Sequence, residues 1–340
     1  CVEVEDDACV PTVGSMQGSF AAFMTIARLD EKKNKILFID PGFPVQKQQC
    51  NILGIETLHF DVYDYRGEKL EAKLEEYLAT GEVAAMIYSS PNNPAWFSFN
   101  EMELQIIAKV ANKYDVIVLE DLAYFGMDFR QDYSKPGVAP YQPTVAKWAK
   151  KFVLMISGSK IFSYAGQRIA VMVISKDLFD MKTEHMKKYF TQDCFGRAII
   201  FGSLYALTSG TAFSPQYALT AIFKACNDGS YNFAEPLKEY GIKAEQMKKA
   251  LVENGFKIVY DKDLDVDVAD GFYFTFSYPG LTGEELLSEL AYYGISAISL
   301  GVCRSTRTEG ARACVSLVPN EMIPVFAERV KKFHEDHPIK

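Results

Sequence analysis

The chain has 340 residues, 49% of them hydrophobic and 24% charged, with 44 acidic against 36 basic side chains and a net charge of −8. That balance suits a globular protein long enough for two domains, and it excludes a non-specific nucleic-acid binder, which needs a basic surface. No apolar run approaches a membrane span, and seven scattered cysteines with no CxxC pair suit reduced thiols in a cytoplasmic compartment.

Residues 2–7 read as an acidic, exposed lead-in. Val13-Gly14-Ser15-Met16-Gln17 then forms a turn that opens a helix, with Phe20, Phe23, Met24 and Ala27 at helical spacing. Backbone N–H groups at such a start bind anions; simple capping by Ser15 is the plainer reading. Residues 35–40 form a short apolar strand that runs into Pro41-Gly42-Phe43-Pro44, a turn presenting one aromatic side chain. A strand over 55–60 and an amphipathic helix over 68–78 follow. Residues 83–88 are continuously apolar, as in a parallel strand covered on both faces, and end in Ser89-Ser90-Pro91-Asn92-Asn93-Pro94. A helix over 102–114 precedes a second buried strand, 116–119, which ends in Glu120 and Asp121. A carboxylate buried at that place needs a cationic partner, unless Asp121 only caps a helix.

After a proline-bearing loop over 129–144, residues 152–156 form another buried strand. It leads into Ser157-Gly158-Ser159-Lys160, with Gly166-Gln167-Arg168 beyond. A lysine just past a buried strand is poorly solvated, so its pKa falls and its amine becomes a nucleophile; an ordinary solvated lysine on a turn is the plainer reading of this stretch alone. A strand over 169–174 and helices over 177–189, 195–209 and 214–228 complete the first part. From residue 229 the texture changes to a long helix over 235–254 and short strands alternating with helices. The expected architecture is α/β. A three-layer domain over 1–228 has a mostly parallel sheet flanked by helices, and a smaller α+β domain spans 229–340. The four histidines show no metal-ligand spacing, and His334 and His337 are expected to be solvated.

In an open parallel sheet, ligands bind outside the carboxyl ends of the strands. Asn93, Asp121 and Lys160 each lie just past such an end, and Ser15 lies at a helix start. Their chemistries fit one ligand. A carboxylate (Asp121) suits a protonated pyridine nitrogen, and donors (Asn93, Tyr124) suit a phenolic oxygen. An amine (Lys160) suits an aldehyde, and Ser15, Ser157 and Arg168 suit a phosphate. The GxGxxG and GxxxxGK[ST] nucleotide motifs are lacking.

The chain resembles the fold-type I, class I and II aminotransferases, which use pyridoxal 5′-phosphate. The most specific pieces are Ser157-Gly158-Ser159-Lys160 with Gly166-Gln167-Arg168, Asp121-Leu122-Ala123-Tyr124, Asn92-Asn93-Pro94, the Gly14 turn, the Phe43 turn, and Arg312 within Gly310–Leu317. The resemblance implies that Lys160 holds the cofactor as a Schiff base and shuttles the substrate proton. Asp121 faces the ring nitrogen, Tyr124 and Asn93 bond the ring oxygen, and Phe43 stacks on the ring. Gly14, Ser15, Met16, Ser157 and Arg168 surround the phosphate, and Arg312 grips the substrate carboxylate.

The same resemblance implies transfer of an amino group between an α-amino acid and a 2-oxo acid, in a cytoplasmic homodimer with no nucleic-acid or membrane partner. A C–S β-lyase, a decarboxylase and a non-catalytic cofactor sensor are alternatives on the same scaffold. Three features depart from the family pattern. Ala95 and Trp96 stand where threonine and glycine are usual, which places Trp96 at the mouth of the site as a substrate residue. Ala170 replaces a glycine. The glycine turn comes almost at once, which leaves the small domain without its N-terminal part.

Overall fold

The continuous apolar runs of the first half become the centre of one sheet in the computed structural model, which describes residues 2–339. Its strands are β1 (Cys9–Thr12), β2 (Lys35–Asp40), β3 (Thr57–Asp61), β4 (Val83–Ser89), β5 (Ile117–Asp121), β6 (Phe152–Ser157) and β7 (Ala170–Ile174). They lie in the order β1-β7-β6-β5-β4-β2-β3. Strands β3, β2, β4, β5 and β6 pair in parallel, while β7 runs antiparallel to both β6 and β1. Every residue of β4 and β5 is buried, as continuous apolar runs require when helices cover both faces. β1, just before the glycine turn, is a strand because its backbone pairs with β7 along Cys9–Thr12.

The helices of this part are α1 (Gly14–Ile26), α2 (Pro44–Ile52), α3 (Lys69–Leu78), α4 (Glu101–Lys113) and the short α5 (Gly158–Ile161). Leu70, Leu74 and Leu78 of α3 are buried at the expected spacing. Asn100 and Glu103 form a capping box that starts α4. The helix expected over 177–189 is broken instead. Only α6 (Lys176–Phe179) and a 3₁₀ turn over Glu184–Lys188 form, because the chain between them turns to make a bridge from Lys182 to Cys194. Residues 195–208 are helical throughout, as α7 (Phe195–Arg197), a π-helical stretch (Ala198–Leu204) and α8 (Tyr205–Thr208); α9 (Phe213–Asn227) follows.

Beyond residue 229 come α10 (Lys238–Glu253), β8 (Lys257–Ile258), a hairpin of β9 (Lys262–Asp263) and β10 (Val266–Asp267), and β11 (Tyr273–Ser277). Then come α11 (Gly283–Tyr292), β12 (Ile298–Ser299), β13 (Ala311–Cys314) and α12 (Met322–Asp336). The second sheet is antiparallel, in the order β12-β13-β11-β8. His334 and His337 are not free in solvent. The His334 ring bonds the Tyr278 hydroxyl at 2.8 Å, and His337 stacks on Phe333.

Two polar clusters tie the first part of the chain to the segments beyond residue 229. The Asp61 carboxylate at the end of β3 accepts from the Tyr260 hydroxyl (2.8 Å) and the Thr306 N–H (3.0 Å). Asp263 of β9 pairs with Arg66 (3.0 Å) and Arg130 (2.7 Å), and Arg66 also holds buried Glu103.

Candidate functional site

A cavity of about 230 Å³ opens at the carboxyl ends of β4, β5 and β6. Its lining includes Ser15, Met16, Phe43, Asn93, Asp121, Tyr124, Ser157, Lys160 and Arg168, together with Ser89 and Tyr273. The parallel strands bring these residues together from six separate segments, as the rule for open sheets requires. Residues that are scattered in sequence therefore share one site, and the chemistry of each depends on its local surroundings.

Lys160 sits on α5, the single turn that follows β6. Burial pushes its ammonium below the usual lysine range, and the positive charges of Arg312 and Arg168 push the same way. Its Nζ lies 4.7 Å from the centre of the Phe272 ring. A lysine whose charged form is disfavoured in this way, at the wall of a cavity, is a better nucleophile than a solvated one.

Asp121 ends β5. It caps no helix, and among the described residues no cation pairs with it. Gln46 Nε2 donates to one oxygen at 2.9 Å and the Ala123 N–H to the other at 3.1 Å. Burial raises its pKa to about 6. Neighbouring Glu120 also lacks a cation; it accepts from Tyr88, Thr144 and the Val145 N–H, and burial raises it to about 7. Neutral donors thus replace the charge that desolvation called for, but only Asp121 faces the cavity.

The anion side is built from α1. Gly14 has φ +72°, and a Cβ there would stand 2.3 Å from Arg168 Nη2, so only glycine lets the guanidinium lie over the helix start. The Ser15 hydroxyl does not cap α1; its Oγ is buried and has no hydrogen-bond partner. Gln17 Oε1 instead accepts from the Val13 N–H at 2.7 Å. Ser157 lines the same end and accepts from the Ser159 N–H at 3.1 Å. Arg168 is anchored by the Ala165 carbonyl at 2.9 Å.

On the opposite wall Asn93 Nδ2 donates to the Tyr124 hydroxyl at 3.3 Å, and Tyr124 donates to the Tyr273 hydroxyl at 3.1 Å. Arg312 Nη1 donates to Asn93 Oδ1 at 2.8 Å, its Cζ lies 4.3 Å above the Tyr273 ring, and its buried Nε has no partner. Arg307, a neighbouring arginine in the sequence, is engaged by Asp61 and Asp64 instead.

Trp96 requires a correction. It is fully buried and does not line the cavity; its indole stands behind Tyr124 and Tyr273, with ring centroids 5.3 and 6.0 Å away. An apolar ring next to two buried aromatics goes into the core rather than to a wet mouth. Sequence reasoning missed Gln46, Ser89 and Tyr273. The signal for Tyr273 was the period of two. β11 pairs with β13 so that Tyr273 opposes Cys314 and Thr275 opposes Arg312, which puts Tyr273 and Arg312 on one face.

A cavity of similar size (about 250 Å³), lined by Met247, Phe276, Leu317, Met322 and Phe326 among others, gathers mainly apolar side chains beside β13. Among the described residues no group of acidic, histidine and cysteine side chains could hold a metal ion, and no helix is long and apolar enough to cross a membrane.

The donor set fits pyridoxal 5′-phosphate on four observations. Burial shifts the Lys160 amine below the usual lysine range, and among the described residues the buried Asp121 carboxylate has no counter-charge. The Ser15 hydroxyl is orphaned beside a guanidinium, and Phe43 is an aromatic wall.

Comparisons with known proteins agree. The chain is 27% identical over 165 residues to the putative aminotransferase YugH of Bacillus subtilis, covering 48% of this chain and 40% of that protein. It is 21% identical over 278 residues to the probable aspartate aminotransferase of Methanocaldococcus jannaschii, covering 81% and 63%. The chain thus spans less than two thirds of the length of these curated relatives. Its fold is similar to that of an aspartate aminotransferase double mutant from Thermus thermophilus, with a TM-score of 0.75 at 16% identity over 98% of this chain and 77% of that one. An aminotransferase from Mycobacterium tuberculosis has the same fold, with a TM-score of 0.75 at 19% identity over 98% and 78%. The model of the family "Aminotransferase class I and II" matches residues 2–330, and the chain belongs to that family.

Proposed function

We propose that the chain is a pyridoxal-phosphate-dependent aminotransferase acting on an α-amino acid and a 2-oxo acid. The observation that carries this reading is that Lys160, cation-free Asp121 and the Ser15–Arg168 anion side converge on one cavity. When bound, the cofactor supplies an aldehyde for the amine and a ring that takes up an electron pair.

The chain's own residues do the rest. Lys160 is the covalent anchor, and its poorly solvated Nζ, shifted below the usual lysine range, accepts the proton from the substrate Cα and returns it. Asp121 opposes a cationic ring nitrogen, which lowers its raised pKa and keeps both groups charged. Ser15, Ser157, Arg168 and the first N–H groups of α1 hold the phosphate. Asn93 keeps a second amide N–H for the ring oxygen, and Tyr124 would serve it on turning its hydroxyl away from Tyr273. Arg312 has an unpartnered Nε and a guanidinium fork suited to a carboxylate. Phe43 covers the ring and excludes water.

The lining holds Lys160 and Arg168 as its cations, both used by the cofactor. Arg312 then serves the α-carboxylate, and this favours substrates with neutral side chains. The test is a panel of amino donors with a 2-oxo acid acceptor. Oxo-acid-dependent amino transfer from neutral donors is expected. Release of thiol and pyruvate, or of carbon dioxide, without amino transfer would mark the lyase or decarboxylase reaction and overturn the assignment.

The assembly we propose is a homodimer. Phe201, Phe213 and Tyr217 on the helices after residue 195 are 64%, 76% and 75% exposed, an aromatic face that a second copy would cover. A cytoplasmic location is also proposed, supported by six free cysteines among the described residues. Cell fractionation that finds the chain elsewhere would count against it.

A further inference from the structure

Trp96 breaks two local rules at once. Its backbone is left-handed, with φ +67°, a region that bulky side chains rarely occupy. Its indole Nε1 is buried and has no hydrogen-bond partner. Orphaned donors and strained backbone persist only where the surroundings over-determine them, and they cluster at functional sites.

The surroundings here are explicit. The Trp96 N–H donates to the Asn92 carbonyl at 3.0 Å, and Asn92 precedes Asn93 of the site. One edge of the indole lies against Gly271, where a Cβ would come within 2.2 Å of the ring. The rest of the ring meets Tyr124 and Tyr273 edge-on, at interplanar angles of 68° and 80°. Those two tyrosines share a hydroxyl–hydroxyl bond, and Tyr273 also carries the Arg312 guanidinium above its ring. A shift of the indole therefore reaches Tyr124, Tyr273 and Arg312 together.

We propose that Trp96 is a positioning residue. Its strained backbone and the bare Cα of Gly271 press the indole against Tyr124 and Tyr273 and fix the hydroxyl pair at the cavity wall and Arg312 just behind it. The inference deepens the aminotransferase reading and takes its significance from it. The positioning itself does not need the cofactor to be bound.

The experiment uses the full chain carrying ring-¹³C tyrosine, with the Tyr124 and Tyr273 resonances assigned through Tyr124→Phe and Tyr273→Phe. In Trp96→Leu both resonances are expected to move or broaden, while those of Tyr278 and Tyr293, which pack against Phe333 instead, stay in place. Trp96→Phe keeps an aromatic edge and is expected to move them less. With pyridoxal 5′-phosphate and an amino donor, Trp96→Leu should raise KM for the donor about tenfold, because Arg312 loses its support, with Trp96→Phe restoring most of it.

A folded Trp96→Leu that leaves both tyrosine resonances unmoved overturns the proposal. If that variant does not fold, Trp96→Ala is read in the same way, and an unmoved pair in it overturns the proposal equally. If neither folds, nuclear Overhauser contacts from the indole to both tyrosine rings in the unaltered chain decide it, and their absence overturns it. Failure of the unaltered chain to bind the cofactor would overturn the functional reading instead, and the cofactor-free resonances distinguish the two.

Discussion

Asp121 is a buried carboxylate whose neighbours donate hydrogen bonds but no charge. Its pKa rises from 3.8 to about 6 on folding. Between those values the folded chain holds a proton that the unfolded chain has released, so stability falls as pH rises through that window and stays lower above it. The shift corresponds to a penalty of about 3 kcal/mol at neutral pH. Asp121→Asn removes the charge but keeps the shape. Without cofactor it is expected to be more stable than the wild type at neutral pH by about 1–2 kcal/mol, and its stability should vary less across the window, as urea unfolding would read. With pyridoxal 5′-phosphate present the order should reverse, because the ring nitrogen then lacks its counter-charge. A variant less stable at neutral pH with the wild-type pH slope would contradict this view of the residue.

At the scale of elements, strand ends and motif residues were legible and the packing between elements was not. The runs at 83–88, 116–119 and 152–156 announced buried strands because covered parallel strands are apolar at every position. Asn93, Asp121 and Lys160 followed from their place just past those runs. Gln46 was invisible, since nothing in α2 marks which side chain reaches Asp121 across the sheet. The helix expected over 177–189 failed because a tertiary bridge at Lys182 outcompeted local propensity. Trp96 was misplaced because residue type alone does not say whether an aromatic ring faces solvent or core.

The clamp at β9 was equally hidden, as it joins residues far apart in sequence. Asp263 accepts from Arg66 and Arg130 and from the Ser98 N–H at 3.2 Å. Asp263→Ala leaves two guanidinium groups short of a partner and is expected to cost about 3 kcal/mol of unfolding free energy. Denaturation that shows no loss would remove the clamp from the forces joining the two parts of the chain.

At the scale of the whole molecule, two sheets meet around a cavity into which the first contributes the amine, the acid and the anion side. The second contributes Tyr273, with Arg312 just behind the wall. The exposed aromatic face at Phe201, Phe213 and Tyr217 belongs to this scale too. Sedimentation is expected to show a dimer that Phe213→Glu with Tyr217→Glu converts to a monomer; a monomeric unaltered chain would contradict the dimer.

Absorption titration of the unaltered chain with pyridoxal 5′-phosphate, followed by borohydride reduction and peptide mapping, tests most directly whether Lys160 is the covalent anchor. The expected result is a new absorption band, a reduced pyridoxyl group mapped to Lys160, and loss of both in Lys160→Ala. An unchanged band in Lys160→Ala, or a label on another lysine, would contradict it.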